Sequence, residues 1–258
     1  MRNAARLCAV FAPRSPIPLL GVVLLLGVAA CGGEHSSAGA PDADAPMPTI
    51  GLGFEFEPGT VTGVADLQAI ERPDDGISSV VMIGDSITAA STEDLRTGFS
   101  SIGFDDVLIE AQQDKRMTTG TNSNPAGADI AAFIAGSDND GAHDDELWIL
   151  ALGTNDINQY GTLDEIGAQV DEVLDAVPDD ASVLWVDTYY AGSEGGDGEV
   201  NLVVADRLER RGDAAVVPWS AYGAGDGVMS GDGVHPSPLG RQVFAGLVVG
   251  AVSELLDE

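Results

Sequence analysis

Ser79-Val80-Val81-Met82-Ile83-Gly84-Asp85-Ser86 is the stretch on which the reading of this chain turns. Four apolar residues in a row, closed by a glycine, have the length and bounds of a strand buried on both faces, as in a parallel sheet. The same unit recurs downstream: Val107-Leu108-Ile109, then Leu147 to Ala151 closed by Gly153, then Val183 to Val186, then Ala215 to Val217. Helical stretches are expected between them. One starts near Ser91 and another covers Ala126 to Ala135. In the clearest, Thr162 and Glu165 form a capping box, Leu163, Ile166, Val170, Val173 and Val177 keep helical spacing, and Pro178 stops the run. Val200 to Arg211, ended by Gly212, and Pro238 to Leu256 complete the set. Strands alternating with helices predict an α/β fold: a three-layer α/β/α sandwich around a mainly parallel sheet. Ligands of such sheets bind beyond the carboxyl ends of the strands.

Upstream the chain is of another kind. Arg2, Arg6 and Arg14 precede an uncharged run from Ile17 to Ala30, about 14 residues long, short of the roughly 20 that a spanning helix needs. It has the length of an export-signal core and ends Val28-Ala29-Ala30-Cys31. Small residues before a cysteine resemble a bacterial lipobox, which implies lipidation of Cys31 and a membrane-anchored protein facing the periplasm or the cell exterior. Residues 1–30 are thus expected to be a lipoprotein signal peptide. Residues 31–48, rich in Gly, Ala, Ser, Pro and Asp, are expected to be a flexible tether. Residues 49–75 form an N-terminal extension in which Ile50, Leu52, Phe54 and Phe56 alternate with Gly and Glu at strand period. The α/β domain is expected over 76–258.

Composition narrows the partners. The 258 residues carry 42 Asp+Glu against 11 Lys+Arg, a formal charge of −31, and Lys115 is the sole lysine. Nucleic-acid binding is disfavoured, since neutralising phosphates needs clustered Lys and Arg. Electrostatic docking on anionic lipid is disfavoured for the same reason. Two cysteines, Cys8 and Cys31, support neither a disulfide framework nor a cysteine zinc site. The acidic loop Asp138 to Glu146 does not fit a calcium loop: aligning Gly141 with the EF-hand glycine puts Gly136 and Leu147 at ligand positions. It reads as a solvated loop, and no metal site is expected.

Chemistry gathers at three strand ends. The first strand runs into Gly84-Asp85-Ser86, the third into Gly153-Thr154-Asn155-Asp156, and the fifth is followed by Asp232-Gly233-Val234-His235. A serine nucleophile needs a base, and the base an orienting carboxylate. Asp232 and His235 are close enough in sequence for one turn to join them. His35 falls in the tether, and His143 precedes a strand, at the wrong end of the sheet. Asn155 carries an amide that can donate to an oxyanion. Asp85 is read as structural and Asp156 as a helix cap.

In these blocks, from about Ser79 to Leu256, the chain resembles the SGNH (GDSL-like) hydrolases, of SGNH/flavodoxin-like fold. The resemblance implies Ser86 as nucleophile, His235 as base and Asp232 as its partner, with no cofactor. It also implies an oxyanion hole formed by the Ser86 backbone N–H, the Asn155 side chain and a second backbone N–H. The family's glycine after the second strand is missing: Glu110 to Arg116 contains none, so the second N–H falls to Asp114 or Lys115, with Asp114 the residue assigned. The implied function is ester hydrolysis through an acyl-enzyme, on a small-molecule or glycan ester. The alternatives are acyl transfer to a sugar hydroxyl and a non-catalytic carbohydrate-binding lipoprotein.

Overall fold

Among the described residues, five strands form one sheet, every neighbouring pair parallel: β1 (Ser79–Gly84), β2 (Leu108–Ala111), β3 (Glu146–Ala151), β4 (Ser182–Val186) and β5 (Ala214–Val217). Their order is β2-β1-β3-β4-β5. This is the flavodoxin-like order, in which the crevice for ligands opens where β1 and β3 lie side by side. The computed structural model describes residues 67–70, 76–105, 107–137 and 145–256. The expected export signal, Cys31, the tether, the strand pattern at 50–57, and 138–144 with His143 lie outside the described residues.

Alternation along the strands divides the core in two. Val80, Met82, Leu147 and Ile149 join one apolar cluster with α1 (Ser86–Ser101) and α6 (Pro238–Leu256). Val81, Ile83, Trp148 and Leu150 join the other with α2 (Gly127–Ser137), α3 (Leu163–Asp175) and α4 (Gly196–Arg211). A strand apolar on both faces needs a helical layer on each, and this arrangement supplies both. α1 and α6 approach closely at Gly98, where a Cβ would lie 2.7 Å from Val249 Cγ2. The high mean hydropathy of α6, 1.4, goes with burial of Val243, Phe244, Leu247, Val248 and Val252 in the core rather than with a free apolar helix.

Several boundaries differ from expectation. α1 begins at Ser86, not near Ser91, because the buried Asp85 carboxylate caps it by accepting from Ile87 N–H at 2.9 Å. α4 begins at Gly196, upstream of Val200. β2 is an edge strand with alternating exposure, and Leu108 is 41% exposed. A short helix, α5 (Trp219–Gly223), went unpredicted. Leu67 and Ile70 pack into the α1/α6 cluster, so the core draws on residues upstream of the boundary expected at 76.

Candidate active site

The turn from β1 into α1 is built around small and capping residues. A Cβ on Gly84 would fall 2.1 Å from Thr88 Oγ1, so the strand can meet the helix this closely only with glycine there. Asp85 closes the turn, and Ser86 becomes the first residue of α1. Its backbone N–H therefore has no intrahelical acceptor and points where the helix dipole favours negative charge. Ser86 is buried, at 5% exposure.

His235 reaches this serine from the loop before α6. Its Nε2 lies 3.0 Å from Ser86 Oγ, and its Nδ1 lies 2.8 Å from Asp232 Oδ2. The other carboxylate oxygen of Asp232 accepts the N–H groups of Val234 and His235, each at 3.0 Å. The hydrogen bond from His235, with these two N–H groups, holds the Asp232 carboxyl well below the usual carboxylate range. An ionised Asp232 takes the proton of Nδ1 as its hydrogen bond, which leaves Nε2 free to accept from the serine. Gly233, at φ +70°, makes the turn that folds His235 back on Asp232, and its carbonyl accepts from Ala191 N–H at 3.0 Å.

Asn155 lies in a three-residue turn, Thr154–Asp156, that follows β3 after Gly153 at φ +116°. One amide hydrogen of Nδ2 goes to the Lys115 carbonyl at 3.0 Å, so the second remains for another acceptor. Lys115 itself is buried, and its Nζ donates to the Pro125 carbonyl at 2.9 Å. Burial lowers the pKa of this ammonium. The sole lysine is thus a structural tie of the loop after β2.

That loop is where the glycine was missing. Asp114 adopts φ +56°, a left-handed conformation that glycine enters freely and Asp tolerates better than most residues. Among the described residues, the Asp114 N–H donates to no protein acceptor, whereas Lys115 N–H reaches the Gln112 carbonyl at 3.4 Å. Of the two backbone groups expected as candidates, only that of Asp114 is uncommitted.

Asp156 does not cap a helix as expected. It is 1% exposed, and its carboxylate bonds Met117 N–H, Arg116 and the Tyr160 hydroxyl. A second residue missed in the sequence is Asp187, at the end of β4, which accepts from Ser220 N–H at 2.6 Å. Asp156 stands in a quoted motif but reads there as a cap, and Asp187 is not singled out by the sequence, because the partners of both lie on distant elements. Among the described residues, no three His, Cys, Asp or Glu side chains form a metal-binding group.

Two buried carboxyls near the site give a pH signature. Burial pushes Asp85 up to about 6 against its bond from Ile87 N–H, and pushes Asp187 up to about 6 against its bonds from Ser220. A carboxyl with a raised folded pKa binds its proton more tightly folded than unfolded, so its effect on stability is best below pH 4 and worsens as pH rises through 6. Each costs on the order of 2–3 kcal/mol across that window. Acidification also relieves self-repulsion in a chain of charge −31. Asp232 works the other way only well below pH 4, because its folded pKa is depressed. The melting temperature is therefore expected to be higher at pH 5.5 than at pH 8, which a thermal melt series would check. A flat or opposite profile would contradict the burial of these two carboxyls.

No protein-family model matches the sequence, and no curated protein matches it. Solved structures do match by shape. The C-terminal catalytic domain of peptidoglycan O-acetyltransferase A from Streptococcus pneumoniae is 15% identical, with a TM-score of 0.52, covering 70% of this chain and 96% of that one. A member of the lipolytic G-D-S-L family from Veillonella parvula is 16% identical, with a TM-score of 0.52, covering 66% and 96%. The carbohydrate acetylesterase Est24 from Sinorhizobium meliloti is 14% identical, with a TM-score of 0.50, covering 68% and 98%. The chain has the α/β fold of these proteins.

Proposed function

We propose that this chain is a serine hydrolase of the SGNH (GDSL-like) family, anchored outside the cytoplasm by lipid on Cys31, that cleaves carboxylic esters through an acyl-enzyme. The observation that carries the reading is the unbroken chain of hydrogen bonds from Asp232 through His235 to Ser86 at the crevice between β1 and β3. Ser86 Oγ attacks the ester carbonyl as His235 Nε2 takes its proton. The oxyanion is met by the Ser86 N–H, the free hydrogen of the Asn155 amide and the Asp114 N–H. His235 then protonates the departing alkoxide. In the second half it activates water, which releases the acid and restores Ser86.

Short acyl groups on glycans are the favoured substrate class, because two of the similar structures are named for acetyl transfer to peptidoglycan and for carbohydrate acetylesterase activity. The first of these also supports a second reading, transfer of the acyl group to a sugar hydroxyl. Both readings share the acyl-enzyme and differ only in what accepts from it. A screen of aryl esters from acetate to long chains, repeated with a glycan acceptor present, is expected to show fastest turnover on acetate and free acetate as the main product. Acetylated glycan as the main product would favour transfer, and no turnover of any ester would contradict both.

The anchor rests on sequence: the arginines before the uncharged run from Ile17 to Ala30, and Val28-Ala29-Ala30-Cys31 at its end. Cys31→Ser is expected to move the protein from the membrane to the soluble fraction at unchanged specific activity, read by fractionation. Continued membrane association would contradict it.

A further inference from the structure

We propose that Asp156 is the positioning residue of the oxyanion site, holding the loop after β2 so that the backbone N–H of Asp114 faces the crevice; this rests on the serine hydrolase reading above. The missing glycine creates the need. Asp114 sits at φ +56°, a left-handed conformation that Asp tolerates better than most residues but that costs more than it would for glycine, so ties on either side help to hold it. The loop is tied on both sides of that residue. Upstream, Gln112 N–H bonds the Gly84 carbonyl at 3.2 Å. Downstream, two adjacent side chains of one turn take hold of it: Asn155 Nδ2 donates to the Lys115 carbonyl at 3.0 Å, and Asp156 Oδ2 accepts Met117 N–H at 3.0 Å.

Asp156 is in turn fixed from its other oxygen. Its Oδ1 accepts from Tyr160 Oη at 3.0 Å and from Arg116 Nε at 3.2 Å. Arg116 Nη2 donates to the same tyrosine oxygen at 3.3 Å, so the hydroxyl accepts from arginine and passes its own hydrogen to the carboxylate. The guanidinium lies 5.8 Å from the Tyr160 ring centroid. Both carboxylate oxygens are therefore used as acceptors, one on the loop backbone and one on the Arg116–Tyr160 pair. The turn that offers the Asn155 amide to the oxyanion thus also sets the loop that offers Asp114 N–H. A misplacement of about 1 Å can cost about a hundredfold, and a donor that acts on the transition state loses more there than in ground-state binding.

The test compares Asp156→Ala and Asp156→Asn with wild type in ester hydrolysis, thermal melts and amide exchange of the 112–117 segment. Asn keeps one acceptor for Met117 N–H and loses the charge. Asp156→Ala is expected to lower kcat about ten- to a hundredfold, the size of a lost hydrogen bond to a charged group, with KM changed less than about threefold. Exchange at 112–117 should rise, and Asp156→Asn should fall between Ala and wild type in both readouts. A folded Asp156→Ala protein with kcat within twofold of wild type, or with unchanged exchange at 112–117, would overturn the proposal. Should Asp156→Ala not fold, the same two criteria apply to Asp156→Asn with a smaller expected loss. A wild-type protein that hydrolyses no ester would instead overturn the hydrolase reading, and the exchange comparison would still decide whether Asp156 holds the loop.

Discussion

Ser86→Ala is expected to lower ester hydrolysis by at least about 10⁴-fold while the protein stays folded. Among the described residues, Ser86 is the one whose hydroxyl hydrogen-bonds His235 Nε2, at 3.0 Å. Ser86 is buried, so the substitution removes an oxygen from a packed turn and not from open surface. The cap that starts α1 belongs to Asp85, however, and the backbone N–H of residue 86 is unaffected. A loss of about 1 kcal/mol, or a few degrees in the melt, is the expected structural cost. Activity that persists in Ser86→Ala would point to another nucleophile.

Asn155→Ala carries the second largest effect and should differ in kind. One amide hydrogen is spent on the Lys115 carbonyl, and the other is free for charge that develops during reaction. Losing one oxyanion donor typically costs about 10²–10³ in kcat, roughly 3–4 kcal/mol. The nucleophile and base remain, so slow covalent labelling of Ser86 should persist. KM should change little, because the donor acts mainly on the transition state. The lost bond to Lys115 adds a loosened loop to the lost donor, and both effects fall on kcat. An unchanged kcat with a raised KM would make Asn155 a substrate-binding residue instead.

How far the fold can be read from the chain depends on the element. The runs Val80 to Ile83 and Leu147 to Ala151 are strands because both of their faces are covered, and such strands leave an unbroken apolar signature. β2 lies at the sheet edge with Leu108 half in solvent, so its run is short and its bounds slip. The first turn of α1, Ser86-Ile87-Thr88, has no helical apolar spacing; its start is decided by the Asp85 side chain. The three chemical blocks could be picked out in the sequence because turn glycines and polar residues stand together at strand ends; in the structure Ser86 meets the Asp232–His235 turn, and Asn155 follows β3, the neighbour of β1. Asp156 was misread as a cap because its partners, Arg116 and Met117, lie about 40 residues away in sequence. No local pattern carries that information. The left-handed Asp114 is a similar case: the absence of glycine was visible, but the conformation that replaces it was not.

The central claim is that Ser86 attacks ester carbonyls with His235 as its base. A fluorophosphonate probe reacts with a serine only when it is activated as a nucleophile, so labelling the wild-type protein and mapping the adduct by peptide mass spectrometry is the most direct test. The account predicts one adduct, on the peptide containing Ser86, and its loss in His235→Gln. An adduct on a different residue, or no adduct in protein that hydrolyses esters, would contradict it.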